Sequence, residues 1–289
     1  MLHPWLISWY CHTIIAYFDP ESSTFLADTS IINDHSLHRL NKCMNLGKKT
    51  MPRTLFAGQV IAMLSIIPMM INGSMSEWII TVAMYTGIVT LGISLGYHRY
   101  LSHGMFECNT FWQVVMMFFA HIMMVGSAIL WVANHREHHR YTDTRLDPHS
   151  PSHKGWFYAH FLQVFTEPKV RYMSDLLRRP EYKFQHTYYW ELLAVWCVIL
   201  YVLDPFAIIY AWLAPAGFAK LMGSFVFSYS HRGSQPHNDA WVGYLTGGEG
   251  WHERHHSDPS QYRWHPHDLG ANIIDIIATN VKSKKYKII

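Results

Sequence analysis

Four long apolar blocks limit what this chain can fold into. They cover about residues 54–72, 78–97, 111–133 and 188–228, and polar segments rich in histidine and arginine separate them. A transmembrane helix needs roughly 20 mostly apolar residues, and several blocks reach that length. Because half of the 289 residues are hydrophobic and only 15% are charged, we expect an integral membrane protein. The formal charge of +3 gives no reason to expect a nucleic-acid partner.

The blocks predict four transmembrane helices in two hairpins. The predicted spans are Leu55–Ile71, Trp78–Leu95, Tyr188–Leu203 and Phe206–Phe227. The loops inside the hairpins contain no lysine or arginine, whereas basic residues precede the first and third spans, at positions 42–53 and 169–183. The positive-inside rule therefore places both termini and the polar segments outside the hairpins on the cytoplasmic side. We expect the endoplasmic reticulum in a eukaryote and the inner membrane in a bacterium.

Three histidine clusters lie beside these blocks. They comprise His98 and His103; His135, His138 and His139; and His252, His255 and His256. Imidazole is the usual nitrogen ligand of iron, zinc and copper near neutral pH, and eight histidines are too many for one ion but suit two. Without a metal or another partner, desolvating eight clustered imidazoles is costly. The clusters therefore predict a dinuclear metal site.

The spacing inside each cluster indicates how its histidines are presented. Residues at i, i+3 and i+4 lie on one face of a helix, so the second and third clusters each predict three convergent imidazoles. The five-residue separation of His98 and His103 is different, because these side chains diverge by about 140° on an ideal helix. Either the helix end unwinds, as Gly96 just upstream favours, or the two histidines serve different metals.

The Met-rich block Phe111–Ala133 differs from the other apolar blocks. It is apolar enough to span a membrane, but a crossing here would put His103 and His135 on opposite faces. Ligands on opposite faces of a bilayer cannot share a metal centre. We therefore expect this block to lie in the membrane interface, or to enter the membrane and return.

Longer motifs around the clusters resemble the three histidine boxes of membrane fatty acid desaturases. These motifs are HRYLSH, HREHHRYTD with Asp147-Pro148-His149 downstream, and GEGWHERHH from Gly248 to His256. The closest resemblance is to the stearoyl-CoA, or acyl-CoA delta-9, desaturases. It extends from about residue 54 to about residue 275 and includes Tyr262-Arg-Trp-His265.

The resemblance implies nine metal-ligating histidines, with His231 added to the three clusters. The implied ligands are His98, His103, His135, His138, His139, His231, His252, His255 and His256. Phe227 stands where the family usually has an asparagine that holds an iron-bound water. The alternatives for that role are Ser228, Tyr229 and Ser230.

The resemblance also assigns substrate and supporting residues. Trp131 matches a tryptophan that lines the family's acyl tunnel. Thr86 and Thr90 face the same tunnel and are expected to set its depth. Outer carboxylates orient metal-bound imidazoles, and Asp147 and Glu249 are expected to do so here.

The implied reaction is the O2-dependent insertion of a cis double bond into a saturated fatty acyl chain, at carbon 9 of an acyl-CoA, by two non-haem iron ions. Zinc fits the same ligands but offers no redox chemistry. No acid–base residue is expected beyond the ligands. Acyl-lipid and acyl-carrier-protein substrates stay open. Because the sequence contains neither a His-Pro-Gly-Gly haem motif nor a GxGxxG motif, we expect an external electron donor, cytochrome b5 or ferredoxin.

Two alternatives come from different classes of protein. A fatty acyl or lipid hydroxylase of the same histidine-box superfamily diverges in chemistry only after the first hydrogen is removed, but the DPH and YRWH motifs favour the desaturase. A membrane metal transporter would need polar residues along a path through the spans and is less favoured.

The predicted architecture is an all-α membrane protein. Its two helical hairpins carry a cytoplasmic helical cap that holds the histidine-ligated di-metal site. Residues 1–53 are expected to form an N-terminal cytoplasmic extension, residues 54–275 the desaturase domain, and residues 276–289 a basic tail.

Overall fold

The computed structural model describes residues 51–281. Most of the expected N-terminal extension and the end of the basic tail lie outside the described residues. The helices are α1 (Met51–Asn72), α2 (Met75–Ser102), α3 (Thr110–Ile122), α4 (Ala128–Tyr141), α5 (Pro151–Lys154), α6 (Pro180–Thr187), α7 (Tyr189–Leu203), α8 (Ile209–Ser228), α9 (Ala240–Leu245), α10 (His252–Ser257) and α11 (Leu269–Ile277). Single turns of 3₁₀ or π helix occupy Tyr158–Leu162, Gln163–Phe165, Val170–Tyr172, Leu176–Arg178 and Arg232–Ser234. The described part is therefore mostly helical, as predicted.

Within residues 51–281, three helices are long and apolar enough to cross a membrane: α1, α2 and α8. The pair α6 and α7 passes the same test only when taken together, and it bends by 71° between its halves. Ile71 on α1 and Val202 on α7 are more than 70% exposed, as suits side chains that face lipid rather than water. A tight turn joins α1 to α2, where Ser74 and Glu77 form a capping box.

The apolar block 111–133 does not form one long helix. Asn109 caps α3 by accepting a hydrogen bond from the backbone N–H of Trp112 (3.1 Å), and α3 ends after 13 residues at Ile122. The chain then turns through left-handed backbone at Met124 (φ 59°) and Gly126 (φ 99°) before α4 begins. Neither helix has the length of a span, so this block does not form the single transmembrane helix that its hydropathy allows.

Glycines on α2 allow α3 to pack closely against it. A Cβ atom added at Gly92 would lie 2.5 Å from the backbone nitrogen of Ala120, and one at Gly96 would lie 3.0 Å from Cβ of Met116. Real Cβ atoms do not approach backbone this closely, so larger residues would force the helices apart. The four-residue spacing of the glycines puts both on the face that meets α3.

Gln59 and Lys220 are two of the polar side chains buried in the spans. Gln59 on α1 donates to the carbonyl of Met124 (2.9 Å), and Lys220 on α8 donates to the carbonyl of His160 (3.3 Å). Each is therefore bonded to the backbone of a connecting segment rather than to the other. They do not form the continuous polar path that a metal transporter would need.

A two-stranded antiparallel sheet ties the end of the described chain to the segment after α2. Strand β1 (Phe106–Cys108) pairs with β2 (Ala278–Val281), and Phe106 lies opposite Val281. The folded unit therefore extends at least to Val281, six residues past the boundary expected at residue 275.

Candidate metal centre

The nine histidines singled out from the sequence converge into two groups. The first group is His98, His103, His135, His139 and His255, and the second is His138, His231, His252 and His256. Within each group, one ring nitrogen of every histidine lies within 4.8 Å of one ring nitrogen of all the others. These distances are short enough for each group to surround one metal ion.

Helix α4 contributes to both groups because of its periodicity. His135 and His139, four residues apart, belong to the first group, whereas His138 belongs to the second. On an α-helix, residues four apart diverge by only about 40°, while the residue at i+3 points about 60° to the other side. One helix face therefore supplies two adjacent sites.

Helix α10 divides its histidines in the opposite sense. Here the i and i+4 residues, His252 and His256, belong to the second group, and His255 belongs to the first. Each HxxHH motif thus gives two ligands to one group and one to the other. The sequence predicted that each motif presents a convergent face, but it did not predict that each motif is divided between the two groups.

The five-residue separation of His98 and His103 is explained by a wide helix. The segment Gly87–Ser102 is π-helical, and the backbone N–H of His103 donates to the carbonyl of His98 (3.2 Å). A helix closed by i→i+5 hydrogen bonds brings residues five apart together, and the two ring centroids lie 4.9 Å apart. This helix end is wound more loosely than an α-helix. Both histidines belong to the first group rather than to different groups.

Within each group the ring nitrogens lie so close together that hydrogen bonds among them cannot satisfy every lone pair. His255 Nε2 lies 2.9 Å from His98 Nε2 and also 2.9 Å from His139 Nε2. His252 Nε2 lies 2.9 Å from His231 Nε2 and 3.1 Å from His256 Nε2. A ring nitrogen carries at most one proton, so it cannot satisfy two neighbours, whereas a cation between them satisfies every lone pair. This all-nitrogen arrangement fits iron, copper or zinc.

Carboxylates hold the outer nitrogens of three of these rings. His138 Nδ1 donates to Asp147 Oδ2 (2.9 Å), and Glu249 pairs with Nδ1 of the buried His98. His231 Nδ1 donates to Asp143 Oδ2 (2.9 Å). Such contacts fix the tautomer and leave the Nε2 lone pair free for a metal. Asp147 and Glu249, the two carboxylates chosen from the sequence, therefore each contact one of the clustered imidazoles.

Asp143 was not among the two carboxylates chosen from the sequence. It follows the second cluster by four residues, and several other acidic residues also lie near the histidine motifs. Its backbone is left-handed (φ 58°), and this turn aims the side chain at His231, which is 88 residues away in the chain. A left-handed aspartate cannot be recognised from spacing alone.

Burial keeps several of the candidate ligands neutral. Burial, assisted by neighbouring imidazoles, lowers the pKa of His103, His135 and His255 well below the usual value. Burial raises the pKa of Glu249, but His98, Arg99 and Ser94 together outweigh it and hold that pKa below its usual value. Neutral imidazoles and ionised carboxylates are the protonation states that metal binding requires.

A buried ion pair docks the third cluster onto α2. Asp268 Oδ1 and Oδ2 accept hydrogen bonds from Arg99 Nη2 (3.1 and 2.9 Å), and neither side chain is exposed. The Arg99 guanidinium also lies 3.7 Å from the ring centroid of Trp264, a cation–π contact. Trp264 in turn packs against His255, with ring centroids 4.6 Å apart. The pair therefore links α2, which carries His98, to the segment around Trp264, which packs against His255.

A cavity is lined by residues of α2 and α8 and by members of both histidine groups. Its ionisable lining comes from His135, Glu249 and His252, beside Trp131, and the rest from Val89, Ile93, Met123, Ala219, Gly223, Val226, Phe227 and Thr246. The ring of Trp131 stacks on His135 at 5.0 Å between centroids. The cavity therefore presents mostly apolar walls and a polar part at the candidate metal centre.

The two threonines expected to face this cavity lie elsewhere on α2. Thr86 is exposed and donates to the carbonyl of Val82 (2.9 Å). Thr90 is buried and packs against Gly247. The described wall of the cavity on this helix comes instead from Val89 and Ile93.

Comparison with known proteins shows which family this chain is similar to. Residues 76–282 match the family described as Fatty acid desaturase. The sn-2 palmitoyl-lipid 9-desaturase of Nostoc sp. (strain 36) is 34% identical over 189 residues, which cover 59% of this chain and 66% of the relative. The Acyl-CoA Delta(11) desaturase of Trichoplusia ni is 31% identical over 213 residues, covering 64% and 59%. A Delta(9)-fatty-acid desaturase of Caenorhabditis elegans is 31% identical over 209 residues, covering 63% and 60%.

These matches span slightly less than two thirds of the length of each relative. The family match itself covers most of this chain and includes all nine clustered histidines. The chain therefore belongs to the fatty acid desaturase family.

Proposed function

We propose that this protein is an O2-dependent fatty acyl desaturase whose two histidine groups hold two iron ions. One observation carries the proposal: the mostly apolar cavity is lined both by His135 of the first group and by His252 of the second. A saturated chain lying in this cavity presents a methylene to both groups at once. Bound iron would supply the oxidising power, with O2 as co-substrate, that removes hydrogen from an unactivated methylene.

The surrounding residues prepare the site for that chemistry. Asp147, Asp143 and Glu249 accept hydrogen bonds from the outer N–H groups of three imidazoles, which turns their inner lone pairs toward the metals. The apolar walls exclude water from the chain, and Trp131 packs where the chain meets the centre. The net reaction consumes O2, two electrons and two protons, and yields the cis-alkene and two waters. The electrons come from an external donor, cytochrome b5 or ferredoxin.

We propose an acyl-CoA substrate and a double bond at carbon 9. Two of the relatives named above are called 9-desaturases, one of a palmitoyl-lipid and one of fatty acids, while the moth protein is an acyl-CoA Delta(11) enzyme. The cavity wall on α8 extends from Phe227 to Ala219, which is about 12 Å along a helix. The apolar end of the substrate occupies that depth, so the wall fixes how far the methyl end lies from the metals.

We further propose four spans, with the bent pair α6 and α7 as the third, and the centre on the cytoplasmic side. His103 Nε2 and His135 Nε2 lie 3.0 Å apart, which supports an even number of crossings between them. The basic segment 169–183 before α7 supports a cytoplasmic cap. A topology reporter placed after Ser102 and another after Ala133 should map to one side, and opposite sides would refute the arrangement.

Expression in a desaturase-deficient yeast tests the activity. The wild type should produce a new monounsaturated acid, whose double bond is located by mass spectrometry of its dimethyl disulfide adducts. His135→Ala should abolish that product, and His153→Ala, which changes an exposed histidine outside both groups, should not. A hydroxylated product would instead identify a hydroxylase, and no product from any variant would contradict the proposal. Iron analysis of purified protein should give two ions per chain.

A further inference from the structure

His149 is a buried imidazole outside both histidine groups. It is 4% exposed, and its Nε2 has no hydrogen-bond partner within the described residues. A buried polar atom without a partner is costly to desolvate, and folded proteins leave few such atoms unsatisfied. The position of this ring therefore points to a ligand that completes its hydrogen bonding.

The ring of His149 lies directly against the second group. It stacks on His138 with centroids 4.6 Å apart and planes 25° apart. One of its nitrogens lies within 4.8 Å of a ring nitrogen of His138 and of a carboxylate oxygen of Asp147. The same carboxylate fixes both rings, because Oδ2 accepts from His138 Nδ1 (2.9 Å) and Oδ1 accepts from the backbone N–H of His149 (3.0 Å).

His149 is too distant to be a fifth direct ligand of the second group. It does not join the set in which His138, His231, His252 and His256 all lie within 4.8 Å of one another. With metal–nitrogen bonds near 2.1 Å, two nitrogens on one ion are at most roughly 4.2 Å apart. A water or small anion attached to the ion bridges the remaining distance. The second group also has four imidazoles where the first has five, so it has room for such a ligand.

Other polar groups beside this position are already engaged. Phe227 contacts His149 edge to face, with centroids 4.9 Å apart, and offers no hydrogen bond. Ser228 Oγ pairs with His160 Nδ1 (2.8 Å) and donates to the carbonyl of Ser224 (3.0 Å). Ser230 Oγ donates to Asp239 Oδ2 (2.9 Å). These serines thus serve the surrounding fold.

We propose that His149 Nε2 hydrogen-bonds the exchangeable water or anion that completes the coordination of the second metal. This inference rests on the proposed two-metal function, and deepens it by naming which ion exchanges its ligand and which side chain holds that ligand. His149 is therefore a positioning residue for a small ligand, and the nine clustered histidines hold the metals.

Azide binding to the iron-loaded full-length protein tests this role apart from activity. The azide-to-iron absorption band would be titrated in wild type, His149→Leu, His149→Gln and the control His153→Leu, and iron per chain would be measured in the same samples. All four should hold two irons. His149→Leu should bind azide about tenfold more weakly, as expected for the loss of one hydrogen bond to a charged group. Glutamine retains a donor and should remain within about threefold of wild type.

Three outcomes separate this inference from the proposed function. Unchanged azide affinity in His149→Leu overturns it, and so does the loss of one iron from the His149 variants, since that would make His149 a direct ligand. If the leucine variant does not fold, His149→Asn keeps a polar but shorter side chain and should show the same weakening. A wild type without two irons would refute the two-metal function itself, whatever the variants do.

Discussion

Replacing Asp268 with asparagine tests whether the buried Arg99–Asp268 pair holds the metal centre together. Asp268 accepts two hydrogen bonds from Arg99 and also accepts from the backbone N–H groups of Trp264 (3.2 Å) and Ala271 (3.0 Å). Asparagine keeps the size and one acceptor oxygen but removes the charge. The Arg99 guanidinium, which is fully buried, then lacks its closest counter-charge, because Glu249 is the next carboxylate at 3.8 Å.

The expected loss is large because both partners are inaccessible to water. Removing one partner of a buried pair costs about 3–5 kcal/mol, and the retained hydrogen bonds favour the lower end of that range. For a protein of this size, about 3 kcal/mol corresponds to a fall of roughly 6–12 °C in the midpoint of thermal unfolding. The segment that carries α10 should also detach from α2, so iron should leave at a lower temperature than in the wild type.

Asp275→Asn is the matched control, since Asp275 pairs with Arg263 at the surface, where the side chains are 48% and 32% exposed. An exposed pair contributes about 0–1 kcal/mol, so this midpoint should fall by no more than roughly 4 °C. Tryptophan fluorescence during heating in detergent, with iron release followed in parallel, measures both effects. Equal shifts in Asp268→Asn and Asp275→Asn would refute the view that burial makes the first pair important.

Three further predictions concern the metals, the cavity and pH. Glu249→Gln removes the carboxylate beside His98 and should lower iron affinity about 10- to 100-fold in chelator competition, while Glu253→Gln, on an exposed carboxylate bonded to Asn238, should match the wild type. A Cβ atom added at Gly223 has its nearest neighbour 3.6 Å away, so Gly223→Leu should fill the cavity and shift products toward shorter acyl chains; an unchanged fatty acid profile would contradict the assigned wall. Burial lowers the pKa of six clustered histidines well below the usual value, so the unfolded chain binds protons that the folded chain does not. The metal-free protein should therefore lose stability as pH falls below about 6.5, by up to about 1.4 kcal/mol per pH unit for each histidine. Denaturation midpoints that stay constant from pH 8 to pH 5 would argue against buried neutral rings.

The convergence of the histidines within the second and third clusters could be expected from the sequence, because their spacing is a property of helices. An HxxHH motif directs three imidazoles to one face wherever the helix lies, and the apolar blocks placed these helices near a membrane. Rejecting block 111–133 as a span also needed only the condition that His103 and His135 share one centre. These inferences depend on helix geometry and on ligand chemistry, and both follow from the residue types and their spacing.

The remaining features depend on backbone geometry that ordinary helical periodicity does not contain. The pairing of His98 with His103 requires a π-helix, and a 3.6-residue period predicts divergence instead. The left-handed turn at Asp143 and the stacking of His149 on His138 arise only when distant segments meet. Likewise, Val89 rather than its neighbour Thr90 is among the residues that line the cavity.

The alternating use of α4 and α10 means that the two groups are completed at different points along the chain. By the end of α4, the chain contains four of the five imidazoles of the first group but only His138 of the second. The other three members of the second group, His231, His252 and His256, come from the C-terminal part of the chain. During synthesis from the N-terminus, His138 is therefore the one member of the second group that is present until that part has emerged. The first group can thus gather most of its ligands early, whereas the second forms only when the C-terminal part of the chain has docked.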